Sequence, residues 1–199
     1  GFINFFLKET AHQAIVAEIL DKGDRYGDSD IGANIPTLVE FVSANPTGPL
    51  HIGHGRGAAY GAAVSSLLKK TGFDVSCEYY INDAGRQMDI LAVSVWLRYL
   101  QHCGTDIPFP DNAYQGDYIN DIAIKLHNDH AEKFIVNSDN LSALFKEEDA
   151  ELRIDGLIKY CITQLGDETY RIVFDAGLYS ILATIKDDLL GFGVEFDNW

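Results

Sequence analysis

The spacing of apolar positions predicts alternating helices and strands in the first half of the chain. Residues 9–21 carry apolar side chains at helical spacing, and a charged linker containing glycine follows. Short β-branched and aromatic runs at 37–43 and 75–81 predict two strands. The segment 52–70 between them predicts a helix, because small and apolar residues lead into a basic last turn. This order suits a right-handed parallel crossover.

The second half of the chain is predicted to be mainly helical. Helical spacing covers four segments: 86–102, 115–135, 145–165 and 168–190. A further strand is expected near Val194. The predicted fold class is therefore α/β. We expect the first half of a Rossmann-like nucleotide-binding domain, with parallel strands joined by a crossover helix, and a mostly helical insertion.

Charge and cysteine content exclude several classes of protein. The chain of 199 residues has 15 Lys and Arg against 30 Asp and Glu, a net charge of −15, so we expect little nucleic-acid binding by this chain alone. Three cysteines without a CxxC pair indicate reduced thiols and a cytoplasmic protein. No apolar run is long enough to cross a membrane, and no secretion signal is visible, so no membrane partner is expected.

The segment that joins the first strand to the long helix carries the candidate chemistry. In open α/β sheets, ligands bind at the carboxyl ends of the strands, and the start of a helix favours anions. His51 and His54 are three residues apart, which places both imidazoles on one face of the first helical turn. The turn therefore predicts a polyphosphate site with two imidazole donors.

Glycines recur along one side of the long helix, at Gly53, Gly57 and Gly61. Glycine costs a helix about 1 kcal/mol per position relative to alanine, so each should serve a close contact. We expect an adenine ring against Gly53 and a tightly packed strand against Gly61. A Walker loop and a dinucleotide fingerprint are both excluded, because residues that they require are missing.

Two motifs resemble those of one enzyme family. Residues 49–54, Pro-Leu-His-Ile-Gly-His, contain the HIGH signature of class I aminoacyl-tRNA synthetases. The wider segment 39–61 and the segment 79–87 both resemble bacterial arginyl-tRNA synthetases. The chain has Ala62 where relatives commonly have aspartate, and Arg86 where asparagine is frequent. Neither departure touches the HIGH residues.

The resemblance implies roles for the residues of this turn. His51 and His54 would be catalytic, stabilising the α-phosphate of ATP and the departing pyrophosphate. Pro49, Gly53 and Gly55 would bind ATP together with the two histidines. Fixed donors where charge develops in the transition state lower the barrier. The alternative is that the two histidines are merely solvated or bonded to backbone.

The resemblance also implies an arginine site formed by Glu40, Ser43 and Asn45. A carboxylate inside an apolar strand needs a charged partner, and the guanidinium of arginine can supply it. The alternative for Glu40 is a strand glutamate that faces water.

Several other polar residues have competing interpretations. Asn82, Asp83 and Gln87 follow the second strand and are expected in the same crevice, although turn capping explains Asn82 and Asp83 about as well. His127 and His130 share a helical face. No third ligand has suitable spacing, so an exposed helix is favoured over a zinc site, and no metal ligands are assigned.

The activity implied by the resemblance is activation of arginine with ATP to arginyl-adenylate, followed by transfer to tRNA(Arg). Mg²⁺ should accompany ATP, although no dedicated metal cage is visible. We expect the chain alone to have little activity, because the KMSKS-type loop and the anticodon-binding domain of the family are missing. Two alternatives are another HIGH-containing nucleotidyltransferase and a non-catalytic interaction module that keeps the fold.

A division into four segments follows from the resemblance and the predicted elements. Residues 1–30 would be the tail of an appended amino-terminal domain plus a linker, and residues 31–104 the first half of the catalytic domain. Residues 105–185 would form the helical insertion, and residues 186–199 would return to a third strand. The abrupt apolar start at Gly1 predicts an excised part of a longer protein.

Overall fold

The order of helices and strands follows the predicted order as far as the helix Asp117–His130, and a short helix that was not predicted, Asp139–Leu144, follows it. The computed structural model describes residues 1–137 and 139–199; Ser138, within the predicted insertion, lies outside the described residues. The strands are β1 (Pro36–Glu40) and β2 (Asp74–Glu78). The helices are α1 (Glu9–Lys22), α2 (Ile52–Lys70), α3 (Arg86–His102), α4 (Asp117–His130), α5 (Asp139–Leu144) and α6 (Ala150–Gly191).

The two strands form a parallel pair that α2 connects, which confirms the predicted α/β class with a parallel sheet. The register places Glu40 opposite Glu78. On the other edge of β2, Asn198 forms an isolated parallel bridge with Glu78, and the carbonyl of Asn198 accepts a hydrogen bond from the Tyr79 N–H at 3.0 Å. A third parallel segment therefore begins beside β2.

The predicted strand at 37–43 extends too far. β1 ends at Glu40, because Val42 and Ser43 have φ values of 65° and 39°, which are outside the extended region. The backbone turns there and leads into the loop that precedes α2. The β-branched and aromatic composition of residues 37–43 therefore does not reveal the turn after Glu40.

The third strand expected near Val194 begins later, at Asn198. α6 continues to Gly191, so the first residues of the segment 186–199 are still helical. Gly193 then turns the chain with φ of 80°, a value that glycine adopts readily, and the buried Val194 packs into the core. The chain reaches the sheet only at Asn198.

The face of α2 that packs on the sheet consists of small residues, with Ala58, Gly61 and Ser65 buried. A Cβ atom at Gly61 would lie 2.2 Å from the Cγ atom of Phe41, which follows β1. The predicted tight packing at Gly61 is confirmed.

The apolar core lies mainly in the helices that follow β2. α3 is buried along most of its length and packs between α4 and α6. The indole N–H of Trp96 donates to the Phe134 carbonyl at 3.0 Å, and the Tyr99 hydroxyl donates to the Ala131 carbonyl. α6 is broken at Gly166, where φ is 70° and ψ is 161°, in agreement with the two predicted helical segments.

The amino-terminal part of the chain contributes nothing to this core. α1 has no buried residue, and the apolar residues that precede it are largely exposed. All three cysteines are free thiols, as their spacing predicts. Within 1–137 and 139–199, no helix is both long and apolar enough to cross a membrane.

Candidate nucleotide-binding site

The candidate site lies where β1 ends and α2 begins. The connecting loop runs from Phe41 to His51, and the residues that leave β2 lie against it. The Tyr80 N–H donates to the Ser43 hydroxyl oxygen at 3.0 Å, and the Tyr79 hydroxyl donates to the Ala44 carbonyl at 2.9 Å. The carboxyl end of β1, the start of α2 and the exit of β2 therefore form one crevice.

The imidazoles of His51 and His54 lie together, as their spacing predicts. Their rings stack with centroids 3.8 Å apart and an interplanar angle of 18°. His51 caps α2: its Nδ1 accepts from the Gly53 N–H at 3.1 Å, and the Nδ1 of His54 accepts from the His51 N–H at 3.2 Å. A neutral imidazole that accepts at Nδ1 carries its proton at Nε2. Both histidines therefore have an Nε2–H group for a ligand.

Partial burial favours the neutral form of one of these rings. Desolvation lowers the pKa of His54 below its usual 6.5, and the neighbouring His51 lowers it further. Protonation of both stacked rings at once is therefore disfavoured. At neutral pH His54 therefore acts as a hydrogen-bond donor and not as a full positive charge.

A chain of side-chain amides joins the loop to the exit of β2 and the start of α3. The Asn45 side-chain amide donates to the Oε1 atom of Gln87 at 2.6 Å, and the Asn82 amide donates to the Oδ1 atom of Asn45 at 3.2 Å. Together with the contact at Ser43, this network brings four of the residues singled out from the sequence into one place. Asn82 is held by Asn45 and not by the cap of α3, whose N-cap residue is Gly85.

Two acidic residues expected at the site are less constrained. The side chain of Asp83 is exposed and has no hydrogen bond or ion pair within the described residues. Glu40 is also exposed and, in the same part of the chain, has no ion pair. The expectation that the Glu40 carboxylate is buried inside an apolar strand is wrong for this chain, because its side of β1 is open. An exposed Glu40 side chain is open both to water and to a ligand.

The glycines of the turn serve different contacts. A Cβ atom at Gly53 would lie 2.9 Å from the Cε1 atom of His51, so the imidazole is the group that needs a bare backbone there. A Cβ atom at Gly55 or Gly57 would have no atom within 4 Å. Gly55 and Gly57 lie on different sides of α2, so both sides are open at these positions.

Two tyrosines that were not singled out from the sequence donate hydrogen bonds to backbone carbonyls of the loop before α2. Tyr79 bonds the Ala44 carbonyl, and the Tyr118 hydroxyl of α4 donates to the Thr47 carbonyl at 2.8 Å. Nothing in the sequence distinguishes Tyr118 from other aromatic residues of the insertion. In the structure the Tyr118 ring lies against Gly48, where an added Cβ would be 3.0 Å from the hydroxyl oxygen.

The histidine pair of α4 has structural contacts. His127 packs edge-on against His102, with ring centroids 4.9 Å apart, and His130 packs against Phe134. The described residues include no group of three or more His, Cys, Asp or Glu that could hold a metal ion.

Comparisons with known proteins agree on one family. Residues 15–174 match the family model described as tRNA synthetases class I (R), catalytic domain. The whole chain is 52% identical to an arginine–tRNA ligase of Hydrogenovibrio crunogenus, covering 36% of it, and 55% identical to one of Thioalkalivibrio sulfidiphilus, covering 35%. The chain thus spans about a third of the length of these relatives.

Solved structures give the same result. An arginyl-tRNA synthetase structure from Campylobacter jejuni superimposes with a TM-score of 0.71 at 25% identity, over 96% of this chain and 36% of that one. The Thermus thermophilus arginyl-tRNA synthetase matches in fold with a TM-score of 0.50 at 23% identity, over 98% of this chain and 27% of that one. With its paired imidazoles at the start of α2, the chain belongs to the family of class I tRNA synthetase catalytic domains of the arginine type.

Proposed function

We propose that the protein containing this chain joins arginine to tRNA(Arg) in two steps. Arginine is first activated with ATP to arginyl-adenylate, and the arginyl group is then transferred to the terminal adenosine of the tRNA. The observation that carries this proposal is the stacked pair of His51 and His54, with both Nε2–H groups available, in a chain of this family.

The two imidazoles suit the first step electrostatically. The carboxylate oxygen of arginine attacks the α-phosphorus of ATP, a new P–O bond forms, and the bond to pyrophosphate breaks. Negative charge grows on the α-phosphate and pyrophosphate oxygens, where fixed donors stabilise the transition state more than the ground state. His51 and His54 would supply these donors, assisted by the positive end of the α2 helix dipole.

ATP would bind along the start of α2. Pro49 shapes the approach to the turn, Gly53 allows the His51 ring its close position, and the open space at Gly55 suits a flat ring or phosphate. Mg²⁺ would arrive with the ATP phosphates, because the described residues offer no carboxylate cage for it.

Arginine would bind at the end of β1. Ser43 and Asn45 supply polar groups that are held by Tyr80, Gln87 and Asn82. Glu40 would supply the carboxylate for the guanidinium, because its side chain is exposed and unpaired in the described residues and remains available to a ligand. Asp83 would lie at the rim of the same crevice.

The tRNA would be bound mainly by other parts of the protein. The chain carries a net charge of −15, which opposes binding to a phosphate backbone. A cytoplasmic protein is proposed, because tRNA charging serves protein synthesis there. The four segments 1–30, 31–104, 105–185 and 186–199 remain our proposed domain division.

The test is arginine charging of tRNA(Arg) by the full-length protein. We expect the His51→Ala variant to lose about 100- to 1000-fold in the rate of charging, because it loses a transition-state donor. His12→Ala, on the exposed helix α1, is the matched control and should be unaffected. Charging of another amino acid would indicate another HIGH-containing nucleotidyltransferase. No charging at all, with partner binding that survives both histidine substitutions, would indicate an interaction module.

The arginine site is tested separately. Glu40→Gln in the full-length protein should abolish the use of arginine if the carboxylate binds the guanidinium. Glu78→Gln, at the paired position on β2, is the matched control. Unchanged arginine kinetics in the Glu40→Gln variant would refute the proposed role of Glu40.

A further inference from the structure

Tyr118 connects the helical insertion to the loop that leads into the candidate site. It lies in the first turn of α4, and its hydroxyl donates to the Thr47 carbonyl at 2.8 Å, across 71 residues of sequence. Thr47 is four residues before His51 and is separated from it by Gly48, Pro49 and Leu50. A helix of the insertion therefore contacts the backbone just ahead of the paired imidazoles.

The ring of Tyr118 lies between two glycines. A Cβ atom at Gly48 would be 3.0 Å from its hydroxyl oxygen and 3.4 Å from its Cζ atom. A Cβ atom at Gly116 would be 2.3 Å from its Cε1 atom. Neither position can carry a side chain if the Tyr118 hydroxyl is to reach the Thr47 carbonyl. The two glycines, one close to Tyr118 in sequence and one distant, therefore both define the position of the ring.

Few packed atoms support the loop from this side. A cavity of about 230 Å³ lies next to Pro49 and Tyr118, between α4 and the residues Ser180 and Thr184 of α6. Where packing leaves such a gap, a directed hydrogen bond has more influence on the path of the backbone. Burial also raises the pKa of Tyr118 above its usual range, so the hydroxyl remains a donor at neutral and mildly alkaline pH.

We propose that Tyr118 is a positioning residue: its hydrogen bond to the Thr47 carbonyl fixes the path of the loop and thereby the place of His51 and His54 relative to the ATP phosphates. This inference rests on the proposed function. Pro49 restricts one backbone torsion between the bond and the histidines, which limits how far the loop can absorb a shift. Small displacements of catalytic groups cost large factors in rate.

The first test compares two tyrosine-to-phenylalanine variants of the full-length protein. Tyr118→Phe removes only the hydroxyl. We expect kcat for tRNA-dependent ATP–pyrophosphate exchange to fall about 5- to 20-fold, with less than about a twofold change in the KM for arginine. Tyr160→Phe is the matched control, because the Tyr160 hydroxyl also donates to a backbone carbonyl, that of Asn137 at 2.9 Å, within the insertion. Its kcat should equal that of the wild type.

The second test uses Gly48 to examine the same contact. Gly48→Ala should lower kcat several-fold in the wild-type background, because the new methyl group presses on the Tyr118 hydroxyl. In the Tyr118→Phe background the same substitution should cost little more, because the oxygen is gone. If the fold-loss of kcat in the double variant equals the product of the losses in the two single variants, the proposal is overturned.

The outcomes separate this inference from the proposed function. A wild-type protein that does not activate arginine refutes the proposed function. A wild-type protein that activates arginine, with Tyr118→Phe at the same kcat, refutes the positioning role alone. A loss of kcat accompanied by an equal loss in the Tyr160→Phe control also refutes it, because any hydroxyl contact of the insertion would then have the same effect.

Discussion

Two regions of the molecule are built in opposite ways. The crossover unit, formed by β1, α2 and β2, has no buried residue in β1 and buries only Ala58, Gly61 and Ser65 in α2. The helical block, formed by α3 to α6, encloses large side chains such as Trp96 and Phe134 with no exposed surface. The apolar burial that opposes chain entropy is thus concentrated in the helical block.

The difference shows how the polar crevice is held. The site residues of the crossover unit are mostly exposed. The loop that carries them is fixed by hydrogen bonds that the Tyr79 and Tyr118 hydroxyls donate and by one that Gln87 accepts from Asn45. Residues that bind a ligand must remain accessible to it, so they cannot be fixed by close packing on every side. The helical block therefore supplies both the stability of the fold and two contacts to the loop, through Gln87 and Tyr118.

The largest expected effect is in the helical block. Phe134→Ala should lower the free energy of unfolding by about 3–5 kcal/mol, because it leaves a cavity beside the rings of Tyr99 and His130. Urea unfolding followed by far-UV circular dichroism measures it. Phe192→Ala is the matched control, since Phe192 is 58% exposed and should change stability far less. Equal losses in the two variants would contradict the comparison.

A smaller loss of stability is expected in the crossover unit. Gly61→Ala should lower the free energy of unfolding by about 1–3 kcal/mol, because the new methyl group overlaps the ring of Phe41. Gly57→Ala adds the same atom where nothing lies within 4 Å, and should stabilise α2 by up to about 1 kcal/mol. The same urea titration compares the two variants, and the signs of their effects should differ.

The amide network should affect substrate binding more than stability. Gln87→Ala removes the acceptor for the Asn45 amide, and we expect the KM for arginine in the full-length protein to rise roughly two- to tenfold. The thermal midpoint should stay unchanged, because both groups are exposed. Gln164→Ala, an exposed position of α6, is the control. An unchanged KM in Gln87→Ala would show that Asn45 is placed without Gln87.

The smallest effect concerns the titration of His54. Its pKa should lie below 6.5, because burial and His51 both disfavour the charged ring. The folded state then binds this proton more weakly than the unfolded chain, so stability begins to fall as the pH drops below 6.5 and levels off below the folded pKa. NMR titration of the ring protons measures it. His51→Gln should raise the pKa of His54 without restoring the usual value, since burial is the larger cause.

Much of the fold could be predicted from periodicity and end signals. The predicted helix at 52–70 agrees with α2, and the break in α6 at Gly166 falls between the two predicted segments. The third parallel segment begins at Asn198 and not at Val194. A buried β-branched residue that packs beside a helix end cannot be told from one in a strand by residue type. The burial expected for Glu40 was also wrong, because residue type alone does not show which side of a strand is covered by other elements.

The sequence by itself determined which residues meet within one turn of chain. The spacing of His51 and His54 fixed their common face, and the small face of α2 fixed its packing at Gly61. Only the tertiary structure decided the contacts of Asn45 with Gln87 and of Thr47 with Tyr118, which are 42 and 71 residues apart. The physical reason is that helical and strand periods constrain near neighbours, whereas contacts between distant residues depend on how whole elements pack.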